Sequence, residues 1–152
     1  MTTVTPLANL PRGIRNNNPG NLRHGDDWQG LSDRQPDPAF CTFDDPVFGL
    51  RALMRVLLNY RRKHKLRTIS QAIARWAPPN ENDTPAYIAT VARRCGVNPD
   101  NAVDWSEPGM LGAMARAIVA HENGRSPANR PADWYELAIY SAAVRLALGT
   151  GA

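Results

Sequence analysis

Residues 44–60, DDPVFGLRALMRVLLNY, carry the strongest helix signal in the chain. Either aspartate suits the N-cap, and Pro46 suits the first helical position, where no backbone N–H is needed. Apolar side chains then recur at steps of three and four residues and so form one face. The members of this face are Leu50, Leu53, Met54, Leu57 and Leu58. The pattern predicts a helix from Pro46 to about Tyr60, which we expect to be central in the fold.

Boundary residues predict four further helices. Their expected spans are 68–76, 84–96, 106–122 and 131–149. Thr68 and Gln71 have the spacing of a capping box, and Gly96 supplies the left-handed residue that ends many helices. We expect Ser106 to cap the helix that follows it and Pro131 to begin the last one.

The region before the central helix has a different composition. Residues 11–46 hold most of the glycine, proline and asparagine turn signals, which predict loops with one or two small, irregular β-hairpins. No repeat or linker divides the chain, and 152 residues can bury a sufficient core. The expected fold is mainly α, a single domain over residues 1–152 with a small irregular β element near the N-terminus and a flexible arm at 1–10.

Glu122 stands at the end of an apolar helical stripe. The stripe consists of Leu111, Met114, Ala115, Ile118 and Val119. At this place the helix dipole and partial burial both favour the protonated carboxyl, so a proton is available near neutral pH. Cleavage of a glycosidic bond needs such a donor, because the leaving oxygen must be protonated. The alternative is a helix C-cap in which Gly124 is left-handed and Glu122 faces solvent.

The loop at residues 76–84 combines an aromatic ring, amides and two acids, which is a plausible saccharide groove. Near a helix start the ionised form of Glu81 is favoured, which suits a second, charged carboxylate beside a protonated Glu122. For Asp83 the simpler interpretation is a helix N-terminus. The asparagine turn, residues 16–21, is a turn on any interpretation, and its amides are expected to line a polysaccharide cleft.

A net charge of +4 and a pI near 9.5 suit an anionic partner, which could be nucleic acid, a membrane surface or the bacterial cell wall. The basic run at residues 61–67 favours nucleic acid, although cations also complement a helix C-terminus without any ligand. The three histidines lack metal-ligand spacing. Cys41 and Cys95 are expected to be unpaired thiols. The N-terminal residues lack the pattern of a signal peptide, and no run could span a bilayer.

Several motifs resemble a family of small phage and prophage proteins whose members are described as virion structural proteins or cell-wall-degrading enzymes. The motifs are Arg12-Gly-Ile-Arg-Asn-Asn-Asn-Pro-Gly-Asn21, Trp28-Gln-Gly30, Phe40-x-x-Phe43, Gly49-x-Arg51-Ala52, Trp76-Ala-Pro-Pro79, Glu81-Asn82-x-Thr84-x-x-Tyr87 and His121-Glu-Asn-Gly124. The likeness covers roughly residues 11–125.

A second likeness concerns chemistry. Residues 18–22, 28–30, 40–46, 49–52 and 57–60 are similar to a segment of flagellar-type peptidoglycan glucosaminidases, where it follows a helix ending in a catalytic Glu-Ser-Gly. Here residues 113–124 resemble that helix but come after the segment, with asparagine in place of serine. The resemblance implies a circularly permuted lysozyme-like fold whose catalytic acid packs beside the asparagine turn. It leaves hydrolase and lytic transglycosylase open.

The sequence therefore predicts a lysozyme-like domain that cleaves peptidoglycan glycan strands, as a phage endolysin or virion-associated lysin. Glu122 is the expected general acid and Glu81 the second catalytic carboxylate. The expected substrate-binding residues are Asn16, Asn17, Asn18, Asn21, Trp76, Asn82, Tyr87 and Asn123. We expect no metal or organic cofactor, no nucleic acid, no membrane insertion and a monomer. Synthesis in the host cytoplasm would be followed by holin- or virion-mediated delivery to the cell wall.

Two other functional classes remain open at this stage. One is a non-catalytic virion or wall-binding protein, which a solvent-facing Glu122 would favour. The other is a small helical nucleic-acid-binding module, which would require residues 61–67 and 93–94 to share one continuous surface.

Overall fold

The protein is mainly helical, as predicted. A computed structural model describes residues 9–149. Its helices are α1 (Arg12–Arg15), α2 (Pro46–Arg62), α3 (Ile69–Trp76), α4 (Thr84–Cys95), α5 (Pro108–Asn123) and α6 (Leu137–Leu148), with a 3₁₀ turn at Ala132–Trp134 before α6. The helices enclose one main hydrophobic core, so these residues form a single compact domain.

The central helix lies where the sequence places it. Asp45 caps α2 by accepting a hydrogen bond from the backbone N–H of Val47 at 3.0 Å, and Pro46 is its first residue. Leu50, Leu53, Met54 and Leu57 of its apolar face are fully buried and Leu58 is half-buried, and the helix packs against α6 and α5. The indole of Trp105, which precedes α5, donates to the carbonyl oxygen of Leu57 at 2.7 Å. This bond satisfies a buried indole N–H on the central helix.

The capping predictions for α3 and α4 are confirmed. Thr68 and Gln71 form a complete capping box at the start of α3. Gly96 ends α4 in the left-handed conformation, with φ of 69°. The prediction for α5 is wrong, because Glu107 caps this helix by accepting from two backbone N–H groups. Ser106 instead donates its hydroxyl to the side chain of Asp104.

The segment before α2 differs from prediction in two ways. Residues 12–15 form the single helical turn α1, which the turn-rich composition did not indicate. The expected hairpins are reduced to isolated antiparallel bridges, Arg23 with Phe40 and Leu31 with Phe43. Asparagine and aspartate side chains take many backbone partners here, which leaves little regular ladder. Residues 1–8 of the expected arm lie outside the described residues, and Leu10 packs into the main core.

The last helix is shorter than predicted. The chain leaves helical geometry at Asp133 and Trp134, whose φ values are 57° and 75°, and α6 begins only after Glu136. Side-chain bonds hold this departure in place. The Asp133 carboxylate pairs with Arg94 and Arg116, and the Trp134 indole donates to the carbonyl oxygen of Gly124. Tertiary contacts have therefore overridden a local helix signal.

Both cysteines are unpaired, as expected. Cys41 is buried in a small second cluster with Phe43 and Ala52, and Cys95 is half-buried at the end of α4. Burial raises the pKa of both thiols, which keeps them protonated and unreactive.

Candidate active site

A cleft of about 330 Å³ opens beside the C-terminal end of α5. Four parts of the chain line it: the end of the asparagine turn with the loop that follows, one face of α2, the loop after α3, and Glu122. The lining residues are Gly20, Asn21, Leu22, Arg23, Phe40, Val56, Tyr60, Trp76, Ala77, Glu81, Asn82 and Glu122. Residues about a hundred positions apart in sequence therefore share one depression.

Glu122 is half-buried in this cleft, and both of its carboxylate oxygens accept hydrogen bonds. The side-chain amide of Asn21 donates to Oε1 at 3.2 Å, and the hydroxyl of Tyr87 donates to Oε2 at 2.9 Å. The alternative of a solvent-facing helix cap does not hold for this residue. Gly124 does have a positive φ, 74°, but the glutamate is turned inward.

The end of α5 is anchored directly to the asparagine turn. The Asn123 amide donates to the carbonyl oxygens of Pro19 and Val119, at 2.8 and 2.9 Å. Asn123 is only 8% exposed, so it fixes the position of Glu122 and does not reach a substrate. Its predicted role in substrate binding is therefore replaced by a structural one.

Tyr87 lies in the core and not on the cleft wall, contrary to prediction. Its side chain is completely buried, with the ring of His121 stacked on it at a centroid distance of 3.6 Å. Its hydroxyl accepts from the Trp76 indole at 3.1 Å and donates to Glu122, which makes a relay of two bonds. Burial and the negative charge of Glu122 raise the pKa of Tyr87 well above its usual value, so this donor keeps its proton.

The first three asparagines of the turn are structural as well. Asn18 is fully buried, and its amide donates to the carbonyl oxygens of Leu22 and Cys41. Asn16 donates to Asp37, and Asn17 donates to the carbonyl oxygen of Phe43. These amides join the turn to the loop before α2, so they are not available to line a cleft. Of the predicted asparagines in the turn, only Asn21 lines it.

Close packing between the turn and α2 requires a glycine at position 49. A Cβ on Gly49 would collide with the backbone carbonyl of Asn17. The turn can therefore lie directly against the first turn of the central helix, which brings Asn21 to the cleft.

The loop after α3 provides the opposite wall. Trp76 is half-buried and Asn82 is half-buried, and both line the cleft as predicted. Glu81 also lines it, but its side chain is 67% exposed and lies 3.9 Å from Arg23. Glu81 and Glu122 thus share the cleft in different surroundings, one at the solvent edge beside a cation and the other against the core.

Seven further lining residues were not predicted as site residues: Gly20, Leu22, Arg23, Phe40, Val56, Tyr60 and Ala77. Phe40 lies under the guanidinium groups of Arg12 and Arg23. Tyr60 is on α2, one helical turn from Val56, and burial raises its pKa. Val56 and Tyr60 are four residues apart, so they lie on the same side of α2. This spacing is the sequence pattern that indicates a shared position on the cleft.

A second depression, the basic groove, lies near the C-terminal end of α2. Its volume is about 410 Å³. The lining residues are Arg55, Leu58, Arg61, Arg62, Lys65, Arg67, Ser106 and Leu148. Arg61 is partly neutralised by Asp104 at 3.1 Å. Arg94 lines a different depression with Arg125, Arg130 and Asp133.

None of the helices in residues 9–149 is long and apolar enough to cross a bilayer. Within the same residues no group of three or more histidine, cysteine, aspartate or glutamate side chains is placed to hold a metal ion.

Comparison with known proteins gives a relative of phage origin. No family model matches the chain. Protein P5 of Pseudoalteromonas phage PM2 is 40% identical to it over 128 residues, which cover 81% of this chain and 78% of that protein. Identity at this level over most of both chains is found between members of one family. The chain therefore belongs to the family of Protein P5 of phage PM2.

Proposed function

We propose that this phage-related protein cleaves the glycan strands of peptidoglycan, with Glu122 as general acid and base. The observation that carries the proposal is the position of the Glu122 carboxylate, which is half-buried at the end of α5 and opens onto a cleft. A partly exposed tryptophan and an amide, Trp76 and Asn82, stand on the wall of that cleft, where a sugar ring would bind.

The hydrogen bonds distinguish the two oxygens of Glu122. Oε2 accepts from Tyr87, which is buried, so this oxygen is directed toward the core. Oε1 accepts from Asn21, which lines the cleft, so this oxygen is the one that can reach a substrate. In the proposed mechanism Oε1 carries the proton and gives it to the glycosidic oxygen while an oxocarbenium-like sugar forms.

The second half of the reaction has two versions. In a lytic transglycosylase, Glu122 then takes a proton from the C6 hydroxyl of the muramic residue, whose oxygen bonds to the anomeric carbon. In a hydrolase, water supplies that oxygen, and Glu81 acts as the second carboxylate. Glu81 lies at the solvent edge of the cleft beside Arg23, where a second carboxylate could act on water.

The proposal extends to fold and delivery. The contact between the end of α5 and the asparagine turn is the arrangement expected of a circularly permuted lysozyme-like domain, with the acid-bearing helix after the turn in sequence. The phage relative supports a role as endolysin or virion-associated lysin, which reaches the wall through a holin or with the virion.

The test is product analysis of purified peptidoglycan by mass spectrometry. Anhydro-muropeptides would identify a lytic transglycosylase. Reducing muramic ends would identify a muramidase, and reducing glucosamine ends a glucosaminidase. Absence of all products, with a folded protein, would refute the proposal and favour a non-catalytic virion or wall-binding protein.

Glu122→Gln links the activity to the site. General acid catalysis contributes roughly two to four orders of magnitude, so we expect turnover to fall by that factor. The fold should persist, because a glutamine carbonyl still accepts from Tyr87. The matched control is Glu136→Gln, which makes the same change at an exposed position whose side chain caps nothing. Equal activity of Glu122→Gln and Glu136→Gln would remove Glu122 from the mechanism.

The basic groove favours a second candidate, a module that binds nucleic acid. Its five cations could neutralise phosphates, and Arg62 and Lys65 are exposed. The placement of Arg94 in another depression weighs against the single surface that this function requires. Salt-sensitive retention on DNA, lost in an Arg62→Glu/Lys65→Glu variant, together with no activity on cell walls, would select it.

A further inference from the structure

Two side-chain oxygens beside the candidate site have no hydrogen-bond donor. They are Oδ1 of Asn21 and Oδ1 of Asn123. Both point to the same place: a Cβ on Gly13 would lie 2.8 Å from the first, 2.7 Å from the second and 2.9 Å from the carbonyl oxygen of Asn18. Three acceptors therefore converge where the backbone of Gly13 offers only a C–H. Two of these buried acceptors are left without a hydrogen-bond donor, which is unfavourable.

The two amides differ in their freedom to turn. The amino group of Asn123 donates to two carbonyl oxygens, those of Pro19 and Val119, so turning it would place oxygen against oxygen. The amino group of Asn21 donates only to Glu122 Oε1, at 3.2 Å. A half-turn of the Asn21 amide would direct its amino group toward Asn123 Oδ1 and its carbonyl toward Glu122. That second arrangement requires a proton on Oε1 of Glu122.

We propose that Asn21 is a positioning residue whose side-chain amide turns with the protonation of Glu122. With Glu122 ionised, Asn21 donates to Oε1. With Glu122 protonated, Oε1–H donates to the carbonyl of Asn21, and the amino group of Asn21 donates to Asn123. The catalytic meaning of this exchange rests on the proposed function, in which Glu122 must first lose a proton to the leaving oxygen and then regain one.

The surroundings direct the proton to Oε1. Tyr87, on α4, already donates its hydrogen to Oε2, and its hydroxyl oxygen accepts from Trp76. Reversing the hydroxyl would break its bond to Oε2. The other titratable or charged groups around the carboxyl are Tyr60 on α2, Arg23 and Glu81 in the flanking loops, and His121 on the same helix. Glu81→Gln and His121→Gln therefore serve as controls for titration by a neighbour.

Nuclear magnetic resonance of the full-length protein tests the exchange without substrate. The pH titration would follow the side-chain carboxyl carbon of Glu122 and the side-chain amide of Asn21. We expect one shared midpoint. Below it, the Asn21 amide protons should show nuclear Overhauser contacts to the Hα of Gly13, and above it to the side chain of Glu122. Contacts that stay the same throughout the titration would overturn the proposal.

Asn123→Ala tests the role of the acceptor. It removes the oxygen that the turned amide would bind, so the protonated form of Glu122 loses support. We expect the midpoint to fall by about half to one pH unit, which is a net hydrogen bond expressed as proton affinity. The control is Asn82→Ala, which removes an amide that lines the same cleft and donates to the carbonyl oxygen of Pro78. Equal midpoints in wild type and a folded Asn123→Ala variant would also overturn the proposal.

If Asn123→Ala does not fold, the nuclear Overhauser contacts of the Asn21 amide in the wild-type protein still test the proposal. The outcomes also separate this inference from the proposed function. Glycan cleavage without any turning of the Asn21 amide refutes the inference alone. A turning amide in a protein that cuts no glycan refutes the proposed function alone.

Discussion

Replacing Tyr87 by phenylalanine breaks the relay beneath the cleft while preserving the buried ring. In the native protein the Tyr87 hydroxyl accepts from the Trp76 indole and donates to the Glu122 carboxylate. Phenylalanine fills nearly the same volume and keeps the stacking on His121, so no cavity is created. The substitution therefore isolates the two hydrogen bonds.

The expected loss follows from the kind of each bond. A hydrogen bond to a charged group contributes about 1.5–3 kcal/mol, and the neutral bond from Trp76 contributes about 0.5–1.5 kcal/mol. Trp76 is half-buried, so water can partly replace the hydrogen bond from its indole and reduce that contribution. Tyr87→Phe should lower the free energy of unfolding by about 2–4 kcal/mol. For a domain of this size that corresponds to a melting temperature roughly 6–12 °C lower.

Urea unfolding at neutral pH measures the difference, and Tyr135→Phe is the matched control. The Tyr135 hydroxyl is buried without a hydrogen-bond partner, so removing it should be neutral or slightly stabilising. In strong acid, where Glu122 is protonated, its bond to Tyr87 is no longer charge-assisted and the loss in Tyr87→Phe should shrink. The reasoning fails if Tyr87→Phe is no less stable than Tyr135→Phe at neutral pH.

The same tyrosine predicts behaviour in alkali. Burial raises the pKa of Tyr87 in the folded protein, whereas the unfolded chain releases this proton near pH 10. Above that pH the folded state binds more protons, so stability falls as pH rises, by about 1.4 kcal/mol per pH unit for each such tyrosine. Tyr87→Phe should have a shallower alkaline slope than wild type. Equal slopes in a pH series of unfolding curves would contradict this assignment.

Three other predictions follow from single side chains. If Glu81 is an ionised partner of Glu122, Glu81→Gln should lower turnover and move the alkaline limb of the pH–rate profile to lower pH. If Glu81 only binds sugar, the substitution should weaken substrate affinity alone. Unchanged kinetics would exclude both roles. Asn18→Ala should lower the free energy of unfolding by about 2–4 kcal/mol, because buried backbone groups lose the hydrogen bonds of the Asn18 side chain. A loss below about 1 kcal/mol would argue against a structural role for Asn18. Gly112→Ala, in ordinary contact with a valine, should stabilise by roughly 0.5–1 kcal/mol, whereas Gly49→Ala should destabilise; unfolding curves with the same sign for both would contradict the packing argument.

Helix positions were predictable because their signals are local. Asp45 and the Thr68–Gln71 pair act within one turn of the helix that they begin, so their effect can be inferred from spacing. The inward direction of Glu122 was inferred in the same way, from the continuation of an apolar stripe. The break at Asp133 was not predictable, since it depends on Arg94 and Arg116, which are distant in sequence.

The composition of the cleft wall was only partly predictable for a related reason. Sequence shows which side chains are able to bind a sugar, but it does not show which of them are already used inside the protein. The amide side chains of Asn18 and Asn123 could bind a sugar, but in the fold they donate to backbone carbonyl oxygens. Tyr87 could likewise serve as an aromatic wall residue, but its position on the inner side of α4 buries it. The motifs therefore indicated the residues around this cleft better than they indicated which side chains are free to bind a ligand.

The surroundings of Glu122 fit the acid and base role proposed for it, because both of its hydrogen-bond donors are neutral groups. No ion pair joins Glu122 to a cation among residues 9–149, and Arg23, the cation of the cleft, lies beside Glu81. A cation paired with Glu122 would strongly favour the ionised carboxylate and oppose its use as an acid. Neutral donors from Tyr87 and Asn21 orient the carboxyl without bringing a positive charge to it. The pairing of Arg23 with Glu81 is therefore as informative about the proposed mechanism as the bonds that Glu122 makes.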